Sequence, residues 1–160
     1  MTQALVPGVR LAGADRTGDA PAPRAHLYRR TVRVSDLDVM KHVNNARFLE
    51  MVQDAHMDLL YRHETQAGLG LHPRVVYTRH ELDYSAPLLV APEPAVIATT
   101  VGLVKRSSFR LVSRITRDGR TFCTCTSTLV AYDPDGRCPR RLDADELALL
   151  ARHTDPDTAG

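Results

Sequence analysis

The sequence lacks features that define several classes of protein. No run of about 18 apolar residues occurs, the minimum for a membrane-spanning helix, so we expect a soluble protein. No long block of like charge occurs either, and 21 basic and 19 acidic residues leave a formal charge of +2. Because a general nucleic-acid binder needs a concentrated basic surface to contact phosphates, this balance argues against such a protein. Any anion site must therefore be local.

Cysteine is also scarce. The three cysteines are Cys123, Cys125 and Cys138, an odd number in a chain where we find no secretory signal segment, so we expect no disulfide framework. Cys123 and Cys125 form a C-x-C pair, and no second pair lies at the spacing of zinc ligands. The sequence therefore predicts a cytoplasmic protein without a bound metal.

Length limits the domain organisation. A chain of 160 residues fits one domain, since domains typically run to about 100–200 residues. Residues 1–26 are rich in Gly, Ala and Pro without sustained periodicity, which predicts a flexible N-terminal arm, and residues 154–160 are expected to form a flexible tail. The remaining domain, residues 27–153, is small enough that a subunit interface would add to its stability.

Hydrophobic periodicity predicts an α+β arrangement. Alternation over residues 27–35 predicts a first strand, and apolar residues at helical spacing over residues 46–63 predict one long helix. Four more strands are predicted, over residues 75–85, 95–105, 109–117 and 121–133. Asp118-Gly119 predicts a tight hairpin, and residues 143–146 (DADE) resemble a capping box ahead of a short terminal helix. We expect one antiparallel five-stranded sheet packed against the long helix.

Polar residues concentrate between the first strand and the long helix. Residues 35–45 hold two acids, a lysine, a histidine and two asparagines. The asparagines are good N-cap candidates, and a helix N-terminus can polarise a carbonyl oxygen or bind an anion through its free N–H groups. Asp38 could activate water or attack a carbonyl beside the amides near Asn44 and Asn45. From these residues alone, Asp36 and Asp38 are also compatible with turn formation.

A family resemblance separates these alternatives. The stretch S-D-L-D-V-M-K-H-V-N-N at residues 35–45, followed by A-R-F-L-E, resembles the signature of hot-dog-fold thioesterases of the 4-hydroxybenzoyl-CoA thioesterase type. Its D-x-D and H-V-N-N elements are also similar to those of acyl-carrier-protein thioesterases. Weaker similarity runs through residues 81–87 (ELDYSAP), where a strand enters a Tyr-x-x-Pro turn, and through residues 105–109 (KRSSF). The resemblance covers about residues 28–132.

The resemblance implies a hot-dog fold and hydrolysis of an acyl thioester of coenzyme A or of a carrier protein. It implies that Asp38 is the catalytic carboxylate and that a backbone amide near Asn45 polarises the thioester carbonyl. It further implies that coenzyme A phosphates are bound on the hairpin between the third and fourth strands, by Lys105, Arg106 and Ser108. No separate cofactor is expected, because coenzyme A is part of the substrate. The expected assembly is a homodimer or homotetramer.

The motif departs from that of the carrier-protein thioesterases at two positions. Those proteins carry an asparagine two positions after the aspartate and a glutamine next to it, where this chain has Met40 and Lys41. The departure predicts that Asp38 works with backbone amides more than with a side-chain network. His42 matches the motif and is a candidate to orient the substrate or tune Asp38, although a lone loop histidine is more often a hydrogen-bonding support.

The sequence is compatible with other functions. A related hot-dog subgroup carries its acid on the helix, which makes Glu50 and Asp54 alternative carboxylates, although both also fit a solvated helix face. Hot-dog dehydratases use a histidine with a carboxylate, and His42 with Glu50 could form such a pair. A non-catalytic module that binds acyl thioesters is a third alternative, because fold alone does not settle function.

Overall fold

The computed structural model describes residues 25–67 and 74–154 of the chain. Within them, strands and helices follow one another with a single 3-10 turn at Val34–Asp36. The strands are β1 (His26–Arg30), β2 (Val75–Tyr84), β3 (Ala95–Val104), β4 (Ser108–Arg117), β5 (Arg120–Asp133) and β6 (Cys138–Pro139). The helices are α1 (Asn45–Ala67) and α2 (Ala144–Arg152). The predicted N-terminal arm, the predicted tail and the loop after α1 lie almost entirely outside the described residues.

The strands form one antiparallel sheet with the order β1-β3-β4-β5-β2. β6 adds only two residues, which pair with Tyr132 and Asp133 at the end of β5, so five strands make the body of the sheet as predicted. The β4–β5 hairpin turns at Asp118 and Gly119, whose φ angles of 50° and 74° are the positive values that a two-residue type I′ turn requires. β2 lies at an edge, and no described strand pairs with its outer side.

The long helix lies against one face of this sheet. Its buried residues recur at helical spacing: Phe48, Met51, Val52, Ala55 and Leu59. They face the inward residues of β5, which are small or apolar: Cys123, Cys125, Ser127, Leu129 and Ala131. Because successive side chains of a strand point to opposite faces, β5 offers the helix a continuous surface with little bulk. The sheet therefore wraps around α1, which is the predicted architecture.

The first strand ends earlier than its alternating sequence predicts. Residues 27–35 alternate, yet β1 covers only His26–Arg30. Its partner strand β3 begins at Ala95, which pairs with Arg30, so no ladder is available beyond that point. The chain then buries Val32 and enters the 3-10 turn, and the Arg30 guanidinium contacts Asp36 on that turn at 3.4 Å. Local alternation cannot show where a partner strand begins.

The terminal helix begins at the predicted capping box. The Asp143 side chain accepts a hydrogen bond from the Glu146 amide at 2.9 Å, and the Glu146 carboxylate accepts one from the Asp143 amide at 2.8 Å. All three cysteines are free thiols. In the part of the chain that the structure describes, no helix is long and apolar enough to cross a membrane.

Candidate active site

The two acids of the polar loop have different environments. Asp36 is buried, and its Oδ2 accepts a hydrogen bond from the Arg33 amide at 2.8 Å while its Oδ1 lies 3.4 Å from a guanidinium nitrogen of Arg30. Its carbonyl oxygen accepts a hydrogen bond from the Asn44 amide at 2.9 Å. Asp36 therefore ties the start of the loop to its end and has a structural role.

Backbone groups alone hold the Asp38 carboxylate. Its Oδ1 accepts hydrogen bonds from the amides of Met40 at 2.8 Å and His42 at 3.4 Å. The Asp38 amide in turn donates to the His42 carbonyl at 2.9 Å. Oδ2 accepts no hydrogen bond from residues 25–67 or 74–154, so this oxygen is accessible to water or a ligand. The side chains of Met40 and Lys41 are exposed, and the loop uses the Met40 backbone rather than its side chain.

The first turn of α1 presents an unpaired backbone donor. Asn44 caps the helix, because its Oδ1 accepts a hydrogen bond from the Ala46 amide at 2.9 Å and its carbonyl accepts one from the Arg47 amide at 2.9 Å. The Asn45 amide takes part in neither bond, and no acceptor for it is found among the described residues. The positive end of the helix dipole lies at the same place. This N–H group can therefore bind a carbonyl or anionic oxygen.

Three of the predicted site residues line one cleft. The cleft has a volume of about 290 Å³ and lies between the polar loop, the start of α1 and the end of β2. Its lining residues are Asp38, His42, Val43, Asn45, Phe48, Tyr84, Ser85, Ala86 and Pro87. A carboxylate, an imidazole and a free helix amide are thus brought together beside an apolar wall.

Tyr84 connects the end of β2 with the start of α1. Its hydroxyl donates a hydrogen bond to the Asn45 carbonyl at 3.1 Å. Its ring meets the ring of Phe48 edge-on, with centroids 5.4 Å apart and an interplanar angle of 79°. Burial raises the pKa of the Tyr84 hydroxyl, which therefore stays protonated and able to donate at neutral pH. The next residue is also fixed, because the Ser85 amide donates to the Phe122 carbonyl at 2.9 Å.

The predicted phosphate-binding residues lie far from this cleft in the same chain. Lys105, Arg106 and Ser108 are at the β3–β4 turn, where the Lys105 amide donates to the Ser108 carbonyl at 2.7 Å. The cleft lies at the opposite end of the sheet, next to the start of β5. The ten residues of β4 separate the two ends, a distance of about 30 Å at ~3.3 Å per residue. One chain therefore does not bring these residues to its own cleft.

The alternative helix acids also lie outside the cleft. The Glu50 carboxylate is paired with Arg47 at 2.5 Å, and the Asp54 carboxylate is paired with Arg30 at 2.5 Å. Both acids are exposed. His42 lines the cleft and Glu50 does not, so the histidine and carboxylate considered for a dehydratase do not share this cleft.

A buried polar stripe crosses the core, and no motif in the sequence indicates it. His56 Nε2 lies 2.9 Å from Ser113 Oγ, which lies 2.8 Å from Thr99 Oγ1, and His56 Nδ1 lies 3.3 Å from the Tyr77 hydroxyl. Burial lowers the pKa of His56 to about 3, so its ring is neutral at pH 7. The stripe separates two apolar clusters. His56 lies four residues after Val52, so helical spacing predicts that it is on the buried face of α1. This spacing is the one indication of the stripe that the sequence offers.

The fold is similar to that of several solved structures. A predicted thioesterase from Bacillus stearothermophilus matches with a TM-score of 0.74 over 82% of this chain and 97% of its own, at 19% identity. A thioesterase from Thermus thermophilus, solved with coenzyme A and zinc, matches with a TM-score of 0.67 at 26% identity. The match covers 83% of this chain and 96% of the Thermus thermophilus chain. A 1,4-dihydroxy-2-naphthoyl-CoA thioesterase from Synechocystis matches with a TM-score of 0.68 at 16% identity. The match covers 83% of this chain and 98% of the Synechocystis chain. These likenesses confirm the hot-dog fold.

The sequence itself matches a family model. The model of the thioesterase-like superfamily matches residues 32–152, which is most of the chain and includes the polar loop, α1 and the body of the sheet. The chain belongs to the thioesterase-like superfamily, as the motif at residues 35–50 predicts. No curated protein matches the sequence significantly.

Proposed function

We propose that the protein hydrolyses an acyl thioester of coenzyme A or of a carrier protein to a free acid and a thiol. One observation carries the proposal: a carboxylate oxygen of Asp38 and the amide of Asn45, neither with a partner among the described residues, line the same cleft. Hydrolysis needs a group that activates water or attacks the carbonyl, and a donor for the charge that develops on its oxygen. These two groups meet both requirements.

In the proposed reaction, the thioester carbonyl oxygen accepts a hydrogen bond from the Asn45 amide. The positive end of α1 stabilises the negative charge that develops on this oxygen. Asp38 either takes a proton from a water that attacks the carbonyl carbon or attacks that carbon itself. In the first route the C–S bond breaks and the thiolate takes up the proton. In the second route the thiolate leaves an acyl anhydride of Asp38, which water then hydrolyses. Both routes release the same acid and thiol.

We assign His42 a positioning role in this reaction. The His42 amide donates a hydrogen bond to the Asp38 carboxylate, and the His42 carbonyl accepts one from the Asp38 amide. These two bonds fix the position of Asp38 relative to the His42 backbone. His42 is also one of the residues that line the cleft, where its ring can contact the substrate. The exposed Met40 and Lys41 side chains support a site that relies on backbone groups.

The proposal includes a second copy of the chain. β2 is a ten-residue edge strand, and long exposed edges are normally paired or covered in native proteins. In the dimer that we propose, a two-fold axis at His80 pairs β2 antiparallel with β2 of another copy.

This register also brings the predicted phosphate-binding residues towards a cleft. The N-terminal end of β2 lies beside the β3–β4 turn, because Val75 pairs with Ala131 and the Ala131 amide donates to the Ser107 carbonyl at 2.8 Å. The C-terminal end of β2 carries Tyr84 into the cleft. Antiparallel pairing sets one end of each strand beside the other end of its partner. Coenzyme A phosphates at one cleft can then be bound by Lys105, Arg106 and Ser108 of the partner subunit.

Similar proteins support the class of substrate. The Thermus thermophilus thioesterase was solved with coenzyme A, and the Synechocystis protein is a 1,4-dihydroxy-2-naphthoyl-CoA thioesterase. At identities of 26% and 16%, these neighbours support the class of reaction rather than one acyl group.

The test of the proposal is thiol release by the purified protein from a set of acyl-CoA thioesters, followed with a thiol reagent. We expect turnover well above the uncatalysed rate and no hydration of the matching enoyl-CoA thioesters. Hydration without thiol release would indicate a dehydratase. Tight acyl-CoA binding without either reaction would indicate a binding module, and each of these results would contradict the proposal.

A further inference from the structure

Arg117 is a buried arginine at the same end of the sheet as the candidate active site. It is the last residue of β4 and lies on the inward face, as do the buried residues Ser113 and Ile115 before it. Its Nη1 donates a hydrogen bond to the Leu89 carbonyl at 2.8 Å, and its Nε and Nη2 are buried without a hydrogen-bond partner among the described residues. Arginine is almost never buried this deeply unless it is paired. The bond to Leu89 is thus the main polar contact that the burial of Arg117 provides.

The Leu89 carbonyl belongs to a segment that forms one wall of the cleft. This segment, residues 85–89, follows β2, and three of its residues line the cleft. It is held at its first residue, where the Ser85 amide donates to the Phe122 carbonyl of β5 at 2.9 Å. It is held at its last residue by Arg117. The Leu89 side chain is 51% exposed, so the guanidinium rather than side-chain packing fixes this end.

The polar loop, residues 35–45, is attached to the same segment. The Val43 amide donates to the Leu88 carbonyl at 2.8 Å, one peptide unit before the carbonyl that Arg117 binds. The residue before Val43 holds Asp38 through two backbone hydrogen bonds. A short series of hydrogen bonds therefore leads from the Arg117 guanidinium through the 85–89 segment to the backbone that holds the Asp38 carboxylate.

The stability of the core does not by itself account for an arginine at this position. Removing a guanidinium from water costs free energy, and one hydrogen bond to an uncharged carbonyl offsets only part of this cost. Methionine would fill a similar space in the core without that cost. Arginine adds a rigid donor that reaches the Leu89 carbonyl. Arg117 therefore contributes more to the placement of the 85–89 segment than to the packing of the core.

We propose that Arg117 is a positioning residue of the site: by fixing the 85–89 segment, it sets where the polar loop holds Asp38 beside the cleft. The inference rests on the proposed thioesterase function and goes beyond it by assigning a role to a residue that does not line the cleft. Arg117 contacts no reacting atom in this account and acts through hydrogen bonds in series.

The first measurement is amide hydrogen exchange, followed by NMR, in Arg117→Met and Arg117→Gln. Methionine has no donor and the glutamine side chain is shorter than that of arginine, so neither supplies the bond to Leu89. Each variant should release one end of the 85–89 segment, and the Val43 amide should then exchange about tenfold faster or more. Amides of the β4–β5 ladder should keep their wild-type rates. A role in overall stability would accelerate all of these amides together.

The second measurement is steady-state kinetics with an acyl-CoA thioester that the wild type hydrolyses. In Arg117→Met, kcat should fall about tenfold, because a small displacement of a catalytic group lowers the rate strongly. KM should change less than about threefold, since Arg117 does not line the cleft. Arg117→Lys keeps a cationic donor near the Leu89 carbonyl and should recover part of both kcat and the protection of the Val43 amide.

Arg110→Met is the matched control. Arg110 also lies on β4, but it is exposed on the outward face. The same chemical change on the same strand should therefore leave kcat and Val43 exchange unchanged. Thermal unfolding of each variant shows whether the fold is intact, and the use of both Arg117→Met and Arg117→Gln keeps the test available if one of them does not fold.

The outcomes separate this inference from the proposed function. Unchanged Val43 exchange in folded Arg117→Met and Arg117→Gln would overturn the inference. Equal acceleration at Val43 and in the β4–β5 ladder would also overturn it, because Arg117 would then support the fold as a whole. Faster Val43 exchange with wild-type kcat would overturn the role of Arg117 in the reaction. Absence of thiol release by the wild type would overturn the proposed function, while Val43 exchange would still decide whether Arg117 fixes the loop.

Discussion

At the scale of single residues, Asp36 and Asp38 show how two similar acids take different roles. Asp36 is buried and accepts hydrogen bonds from the loop backbone, whereas Asp38 has one oxygen open to the cleft. We expect Asp36→Asn to lower the free energy of unfolding by about 1–3 kcal/mol, because a buried charged hydrogen-bond partner is replaced. Urea unfolding measures this effect. Asp38→Asn should change stability much less, and an equal loss in both variants would contradict the distinction.

Sequence alone does not separate these two acids. Both occur in the same polar loop, and local spacing is compatible with turn formation for either one. The family motif selects Asp38, but the burial of Asp36 depends on Arg30 from β1 and on Asn44 at the far end of the loop. Such contacts exist only once β1 and α1 are packed together.

The buried His56 predicts a pH dependence of stability. Burial holds its folded-state pKa at about 3, below the ordinary histidine value of 6.5. Between these values the unfolded chain binds a proton that the folded chain does not bind. The free energy of unfolding should therefore fall as pH drops from 6.5 towards 3, by roughly 1 kcal/mol per pH unit from this group. Above pH 6.5 His56 adds no pH dependence.

Urea unfolding at a series of pH values tests this prediction against His56→Asn, which cannot titrate. His80 and His26 lower the pKa of His56 further, and the pKa values of these two histidines are lowered as well. The free energy of unfolding of the variant should therefore still fall as pH drops, but less steeply than that of the wild type. Equal slopes in the wild type and the variant would show that His56 is not the titrating group.

At the scale of elements, the start of α1 supplies chemistry through its backbone. Asn45→Pro removes the amide N–H that we assign to the thioester carbonyl, and proline is well tolerated at the first helical position. We expect kcat to fall about a hundredfold, the usual cost of losing one oxyanion donor. Thermal unfolding should change little.

Asn45→Ala is the control for this change, because it removes the side chain and keeps the amide. Its kcat should remain near that of the wild type. A large loss in Asn45→Ala together with a small one in Asn45→Pro would assign the role to the side chain instead.

The elements themselves were largely predictable from periodicity. The long helix, the four strands after it and the terminal capping box lie within a few residues of their predicted places. The end of β1 was not predictable, because it depends on where β3 begins at Ala95. The polar stripe at His56 was also missed, since its partners Ser113 and Thr99 come from strands far along the chain.

At the scale of the whole molecule, the open edge of β2 predicts a dimer. Arg79 is paired with Glu81 of its own chain, and Arg79→Glu replaces that ion pair by two like charges on the strand that we expect to form the interface. We expect this variant to dissociate at protein concentrations where the wild type is dimeric. Light scattering after size-exclusion chromatography measures the mass. The double variant R79E/E81R restores opposite charges and should restore the dimer, and a wild-type monomer would contradict the pairing.

The candidate site itself belongs to this scale. The polar residues of the site lie within one motif, residues 38–45, and the sequence predicts them. Its wall comes from residues 84–87, which a Tyr-x-x-Pro pattern marks as a turn but does not place beside Asp38. Only the packing of β2 against the start of α1 assembles the cleft.

The most direct test of the central claim is the rate of acyl-CoA hydrolysis by Asp38→Asn. We predict that kcat falls about a hundredfold or more, because the carboxylate that activates water or attacks the carbonyl is lost. Glu50→Gln, which removes an exposed carboxylate outside the cleft, should keep the wild-type rate. A folded Asp38→Asn protein with near wild-type kcat would contradict the account.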